Sequence, residues 1–298
     1  MSDVGGWRQE VEVEVEVDVD VDVDVDVDAD LVVLFADAAC EVAGRAYRSL
    51  MTRTPDPIFA DPRLAKIYDQ VDNDRGDLDH YVEIIEELDG RRVLDVGCGT
   101  GVLACRLALA DVDVVGVDPA EASLDVARAK PGAETVTWIH GDATSLPADL
   151  RPVDLAVMTG NVAQVFITDE EWRATLDGIA RTLLDGGHLV FESRDPARRA
   201  WTSWDTGGVV TTVATAHGSV QTWTTLLDVS EPLVTFRHHH CFVASDEVVT
   251  SDSTLRFRTL DELCDSLAET GFVVEEVRDA PDRPGLEFVV IARRSIGV

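Results

Sequence analysis

The segment Val93-Leu-Asp-Val-Gly-Cys-Gly-Thr-Gly101 constrains this chain more than any other. Branched apolar residues read as a short buried strand at 92–96. Three glycines at alternate positions follow, and then a helical stretch at 100–110. Glycine has no Cβ, so the backbone there can take left-handed conformations and approach a ligand closely. A helix that opens at such a turn leaves its first N–H groups free. The glycines (Gly97, Gly99, Gly101) follow G-x-G-x-G rather than the dinucleotide spacing G-x-G-x-x-G, which disfavours an NAD-dependent enzyme. Asp95 stands two residues before the first glycine. A carboxylate there would repel a pyrophosphate but suits a ligand that bears an ammonium group.

Strands and helices alternate after this point. Apolar strands at 112–117, 135–140, 153–158 and 188–192 are separated by helices at 120–130 and from 168 onward. Thr168-Asp-Glu-Glu171 is a capping box, and Trp172, Leu176, Ile179 and Leu183 share the buried face of the helix that follows. Gly186-Gly187 reads as the stop of that helix. Repeated βα units of this length imply a parallel sheet with helices on both faces. Upstream, helices are expected at 61–71 and 77–89, the second with the stripe Tyr81, Ile84, Ile85, Leu88. Past residue 195 the pattern changes. Four β-rich runs near 209–215, 219–228, 233–243 and 247–257 have no helix between them and read as an antiparallel insertion. A second capping box, Thr259-Leu-Asp-Glu262, opens a helix with Leu260, Leu263, Cys264 and Leu267 inside. Strands at 272–277 and 287–292 close the sheet.

Charge excludes some functions. The chain of 298 residues has 57 acids against 25 bases, a net charge of -32. Residues 1–30 hold 12 acids and one base, and residues 51–298 hold 43 against 22, so the globular part is acidic in its own right. Such a surface repels phosphate backbones, which argues against a nucleic-acid partner. No run of 18 apolar residues and no signal-peptide pattern occurs, so neither a membrane span nor export is expected. Five cysteines without a CxxC pair point to reduced thiols and a cytoplasmic location. Residues 11–28 are nine Val-acid pairs. In an extended chain their carboxylates would lie about 6.6 Å apart on one face, inside the screening length, and would repel. The run reads as a disordered, charge-extended tail over 1–30, with a cation sponge or a docking strand as the alternatives. An extension covers 31–56, within which Met51 is a candidate natural start.

More acids stand at strand ends. Val114-Val-Gly-Val-Asp118 ends the second strand in a carboxylate that could accept from ribose hydroxyls. His140-Gly-Asp142-Ala143 follows the third, where a carboxylate could accept from an adenine amino group. Met158-Thr-Gly-Asn161 ends the fourth. Together these signatures resemble those of the class I S-adenosylmethionine-dependent methyltransferases over roughly 57–298. The chain is further similar to a bacterial small-molecule-type group in its Phe59-Ala-Asp-Pro-Arg-Leu64, Tyr68-Asp69, Met158-Thr-Gly-Asn-Val-Ala-Gln-Val-Phe166, Phe191-Glu-Ser-Arg-Asp-Pro196, Trp201, Leu255-Arg-Phe-Arg258 and Gly271-Phe272 segments. It departs from the pattern at Leu183-Leu-Asp-Gly-Gly187, where a proline usually precedes the glycines.

The resemblance implies a Rossmann-like seven-stranded, mostly parallel sheet with an antiparallel β insertion after the fifth strand. It implies S-adenosyl-L-methionine as cofactor. Asp95, Gly97, Cys98 and Gly99 would line its methionine portion, Asp118 and Pro119 the ribose, and Asp142 and Ala143 the adenine. Thr159, Gly160 and Asn161 would sit beside the sulfonium, and Tyr68 would close over the cofactor, although it could equally be a helix-packing residue. The implied activity is methyl transfer by direct displacement to a small-molecule acceptor; the alternative is a non-catalytic binder of the cofactor or its product. Such transfer depends on alignment more than on covalent help. Catalytic candidates at the open ends of strands four and five are Asn161, Gln164, Glu192, Arg194 and Asp195, although Glu192 could instead be a structural partner of Arg194.

Other residues have plainer readings. Cys98 and Cys105 read as packing. The insertion at 200–257 would cover the acceptor pocket, with Trp201, Trp204, Trp223, Phe236 and His238 either lining it or packing the insertion's own core. His238-His239-His240-Cys241 looks like a metal site, but strand alternation brings together at most His238 and His240, so no metal is expected.

Overall fold

A computed structural model describes residues 54–72 and 75–296. The expectations for the Val-acid tail, for Met51 and for all but the last three residues of the extension lie outside the described residues.

Pro57–Ala60 (α1) is a single turn ahead of the helix expected over 61–71, and that helix is itself two single turns, Pro62–Ala65 (α2) and Tyr68–Val71 (α3). A proline disfavours the helical region for the residue before it. Asp61 is accordingly extended (φ −77°, ψ 119°); it ends α1 and caps α2 by accepting from the Arg63 N–H. The helix Asp77–Glu87 (α4) buries Leu78, Tyr81, Ile84 and Ile85.

The alternating units follow: Arg92–Val96 (β1), Val102–Leu109 (α5), Asp113–Asp118 (β2), Glu121–Arg128 (α6), Thr137–His140 (β3), Val153–Met158 (β4), Asp169–Thr182 (α7) and Leu183–Arg194 (β5). The capping box of α7 forms as expected. Gly186-Gly187 does not separate α7 from its strand: β5 begins at Leu183, which is already extended and pairs with Val153. The glycines lie inside β5, where the register with β4 shifts between Val153 and Leu155. A Cβ on Gly187 would stand 2.9 Å from the Asp154 carbonyl oxygen, so glycine is what lets the strands close at this irregularity.

Four strands then form a separate antiparallel sheet: Thr211–Thr215 (β6), Gly218–Ser230 (β7), Leu233–Phe242 (β8) and Glu247–Arg256 (β9). Leu260–Glu269 (α8), Phe272–Asp279 (β10) and Glu287–Arg294 (β11) finish the chain. Cys264 on α8 is only half-buried, whereas Leu263 and Leu267 are fully inside.

The main sheet has the order β10-β11-β5-β4-β1-β2-β3, with β11 antiparallel to both of its neighbours. Strand alternation splits its side chains between two cores. Leu94, Val96, Ala156 and Met158 face Trp172, Leu176 and Ile179 of α7 with Leu263 and Leu267 of α8. Val93, Leu155 and Val157 face Leu78, Tyr81 and Ile84 of α4 with Leu103 and Leu107 of α5.

The second sheet is fastened to the body at both ends of one face. Val234 packs with Trp201 and Phe257, and Val220 packs with Leu64 and Ile67. The Ile58 N–H donates to Ser251 Oγ at 2.9 Å, which ties β9 to α1.

Gly101 shows how tightly the glycine turn is fitted. Its φ is +74°, and a Cβ would lie 2.5 Å from the Trp138 ring and 2.7 Å from Ala127 Cβ. Left-handed strain and overpacking together should make Gly101→Ala destabilising by roughly 2–4 kcal/mol, read as a lowered denaturant midpoint at unchanged slope.

Candidate functional site

Strand order reverses at β1, which pairs with β2 on one side and with β4 on the other. Open α/β sheets bind ligands outside the carboxyl ends of their strands at such a point. Asp95, the glycine turn, Asp118 and the turn after β4 meet there.

The strand β1 delivers Asp95 and then the glycine turn. Gly97, Gly99 and Gly101 all have positive φ (72°, 52° and 74°). The N–H groups of Gly97 and Cys98 donate to the Val117 carbonyl at 2.8 and 3.2 Å, which bends the turn over β2. A Cβ on Gly97 would overlap Val162 at 2.6 Å, so the turn after β4 packs directly against this one. A Cβ on Gly99 or Gly160 would meet no atom within 4 Å. Asp118 braces the arrangement, accepting from the Gly99 and Ala120 N–H groups, each at 2.8 Å. A carboxylate has about four acceptor positions, so two are left over.

Asp95 is 1% exposed, and its Oδ1 has no partner in the protein. Burial, with Asp118 nearby as the second cause, pushes its pKa up to about 7; Arg75 and the Ala104 N–H pull the other way. Burial also raises Asp118, against the Ala120 and Gly99 N–H groups. A cation placed beside Asp95 would favour its ionised form again.

Helix α3 approaches the glycine turn through Asp69, a residue with no sequence-derived role beyond the Tyr68-Asp69 signature. It accepts from Thr100 Oγ1 at 2.5 Å and pairs with Lys130 at 2.5 Å, while Lys130 Nζ donates to the Thr100 carbonyl at 2.6 Å. Tyr68, next to it, packs on Phe59 with ring centroids 5.5 Å apart; burial and then Asp72 raise the pKa of its hydroxyl.

After β3, Asp142 Oδ1 accepts from the Thr144 N–H, the Thr144 hydroxyl and the Ser145 N–H. That carboxylate builds its own turn, which places buried Ala143 beside it. His140 Nε2 lies 3.0 Å from the Pro119 carbonyl and joins this turn to the end of β2.

At the ends of β4 and β5 the structure brings four of the five catalytic candidates together. The Asn161 N–H donates to Glu192 Oε1 at 2.7 Å, and Arg194 Nη1 donates to Gln164 Oε1 at 2.9 Å. Asp195 stays apart: it caps the turn at Ala197 and pairs with Arg198. Glu192 does not bond Arg194, whose ion pair runs to Glu287 at 3.3 Å. Glu287, with Arg283 donating to it at 2.7 Å, was not singled out from sequence. The available signal was an acid opening an apolar strand, four residues after an arginine. Burial, then Glu287, pushes Glu192 up to about 7.

The second sheet's inner face carries Phe236, His238 and His240. Trp201 and Trp204 pack with Phe257, and Phe236 sits 4.8 Å from Trp204, so these aromatics mainly build the insertion's own core. Trp223 lies on the opposite face, stacked on His239. His238 Nδ1 is 3.0 Å from the Thr224 hydroxyl, and burial lowers His240 to about 4. No group of three or more His, Cys, Asp or Glu could hold a metal ion among the described residues.

A family model described as a methyltransferase domain matches residues 93–187. The chain is 37% identical over 145 residues to the cypemycin N-terminal methyltransferase of a Streptomyces species, covering 48% of this chain and 59% of that protein. It is 35% identical over 102 residues to the demethylmenaquinone methyltransferase of Clavibacter sepedonicus, covering 34% and 40%. The chain thus spans only 59% and 40% of the length of these curated relatives. Among solved structures it is similar to an S-adenosylmethionine-bound amino pentose methyltransferase from Micromonospora echinaspora, with TM-score 0.62 and 21% identity over 77% of this chain and 97% of that one. An S-adenosylmethionine-dependent methyltransferase from Clostridium acetobutylicum gives TM-score 0.62 at 15% identity, covering 78% and 98%. These likenesses establish the fold.

The buried state of Asp95 has a measurable consequence. A carboxyl with a raised folded-state pKa keeps its proton where the unfolded chain has lost it, so its burial costs stability increasingly from about pH 4 to pH 7 and by a constant amount above. Asp95→Asn removes that cost. Unfolding at pH 5 and pH 8 should show the variant gaining on the parent by on the order of 1–3 kcal/mol more at pH 8. Equal gains at both pH values would mean that Asp95 titrates as an ordinary surface acid.

Proposed function

We propose that this chain, whose fold is that of the class I S-adenosylmethionine-dependent methyltransferases, moves a methyl group from S-adenosylmethionine to a small-molecule acceptor by direct displacement. The observation that carries this reading is the Asp95 carboxylate, buried and with one oxygen unpartnered, beside a left-handed glycine turn at the strand-order reversal. A protein interior tolerates such a group best when a cationic ligand joins it.

Asp95, Gly97, Cys98 and Gly99 hold the methionine portion, with Thr159, Gly160 and Asn161 beside the sulfonium. Asp118 offers its spare acceptor positions to the ribose hydroxyls, with Pro119 alongside. Asp142 and Ala143 border the adenine, and Tyr68 closes from α3. Bound there, S-adenosylmethionine supplies a methyl group that is already activated. The protein's part is then orientation and exclusion of water. The domain takes in 57–298, and its insertion at 200–257 covers the acceptor pocket. The net charge of -32 supports a small-molecule acceptor over nucleic acid. Among the described residues, no helix is long and apolar enough to cross a membrane. The four described cysteines are free, which supports work in the reducing cytoplasm.

Calorimetry with S-adenosylmethionine tests the site. Asp95→Ala and Asp118→Ala should each weaken binding by roughly 10–100-fold, the range expected for a lost hydrogen bond to a charged group. Unchanged affinity in both variants would refute the assignment. A labelled-methyl screen over small amines, alcohols and phenols then tests transfer itself.

A further inference from the structure

Asn161 occupies a left-handed backbone position (φ 61°) and is 3% exposed. Its side-chain Nδ2 lies 3.4 Å from Glu192 Oε1 and 3.3 Å from Glu287 Oε1. Both of those oxygens already serve as acceptors, Glu192 Oε1 from the Asn161 main-chain N–H and Glu287 Oε1 from Arg283 and Arg194. The NH2 end of the carboxamide must therefore face the two glutamates, and the carbonyl Oδ1 points away from them. The glutamates are themselves held. Glu192 takes the Asn161 main-chain N–H at 2.7 Å, and Glu287 takes Arg283 at 2.7 Å and Arg194 at 3.3 Å.

Among the described residues, seven buried side-chain nitrogen or oxygen atoms have no hydrogen-bond partner. Only two are oxygens, Asn161 Oδ1 and Asp95 Oδ1. They belong to the ends of adjacent strands, and the turns that follow those strands touch where Val162 packs on Gly97. A buried acceptor left without a donor costs about 1–3 kcal/mol. The charged cluster behind Asn161 thus holds an acceptor ready at the mouth of the site for a donor that arrives with a ligand.

We propose that Glu192 and Glu287 are positioning residues that turn the Asn161 carboxamide so that its Oδ1 receives an N–H of the methyl acceptor, and that the acceptor atom is an amine nitrogen. The inference rests on the methyltransferase reading above. A carboxamide oxygen is too weak a base to take a proton at neutral pH, so the group bound to it must attack with its hydrogens in place. An uncharged amine can do so. Its lone pair forms the new C–N bond while the C–S bond breaks with its electron pair to sulfur, the positive charge passes to nitrogen, and a proton then leaves to water. An alcohol would have to give up its proton during attack. Of the two nearest carboxylates, Glu287 Oε1 is engaged by Asn161 and the arginines, and Glu192 Oε1 by Asn161.

Two ligands of one scaffold separate this role from a structural one. Sinefungin carries an amine at the position of the transferable methyl group, and S-adenosylhomocysteine carries nothing there. Asn161→Gly keeps the left-handed backbone available and deletes only the carboxamide. By calorimetry, the ratio of sinefungin to S-adenosylhomocysteine affinity should fall about tenfold or more in Asn161→Gly, and in the same direction in Glu287→Gln, with both variants shown folded by thermal unfolding. A merely structural loss would weaken both ligands alike and leave the ratio in place. An unchanged ratio in folded Asn161→Gly overturns the acceptor assignment, and an unchanged ratio in Glu287→Gln alone overturns the positioning role. A parent protein that binds neither ligand would instead overturn the methyltransferase reading, and this inference with it.

Discussion

Four carboxylates are buried along one edge of the main sheet, Asp95, Asp118 and Glu192 near the carboxyl ends of β1, β2 and β5 and Glu287 at the start of antiparallel β11, and the mouth of the domain is organised around keeping them there. Ions leave water at a cost of several kcal/mol each unless something replaces the lost hydration. The chain supplies that replacement from turns rather than from lysines. Main-chain N–H groups of Gly99 and Ala120 face Asp118, and that of Asn161 faces Glu192. Arg194 and Arg283 converge on Glu287. Left-handed glycines and a left-handed asparagine are needed because only tight turns can aim N–H groups at the end of a strand. Asp95 is served least, which is why its pKa is displaced so far.

Much of this was legible in the sequence because period and spacing are local properties. Each βα unit, both capping boxes, the four-stranded insertion and the acids at or just past the ends of β1, β2 and β3 could be placed from neighbours a few residues away. The errors came where a distant partner decides. The glycine pair at 186–187 looks like a helix stop, yet its register with β4 makes it part of a strand. The helix expected over 61–71 is interrupted at Lys66-Ile67, between α2 and α3, where the sequence carries no glycine or proline to mark the break. Glu287 and Arg283 lie about 120 residues from Asn161, and nothing in their own surroundings names the partner. Asp142 matches its expected position, but in the structure its carboxylate builds the turn that holds Ala143.

The second sheet reads best as two contacts and a span. Apolar packing with Trp201 and Phe257 fixes one end, and packing with Leu64 and Ile67 fixes the other. Between them the same face turns polar, with Thr224, His238, His240 and Ser251. Burial keeps His238 and His240 largely uncharged, so this stretch offers hydrogen bonds without adding net charge. Arg194, 5.2 Å from the Trp204 ring centroid, connects it to the acid cluster on β5 and β11.

The way the second sheet is inserted has an evolutionary consequence. All four of its strands come from one uninterrupted stretch of chain after β5, whereas the residues of the glycine turn and the strand-end acids come from β1 to β5 and from β11. Recombination could exchange that stretch as a cassette and leave the rest of the site intact. The exchange would be limited chiefly by the seam with α1 and α2, where Ile58 meets Ser251 and Leu64 meets Val220. Lineages that diversify in what they modify should therefore vary first within the cassette, and the short helices at 57–71 should change in step with it.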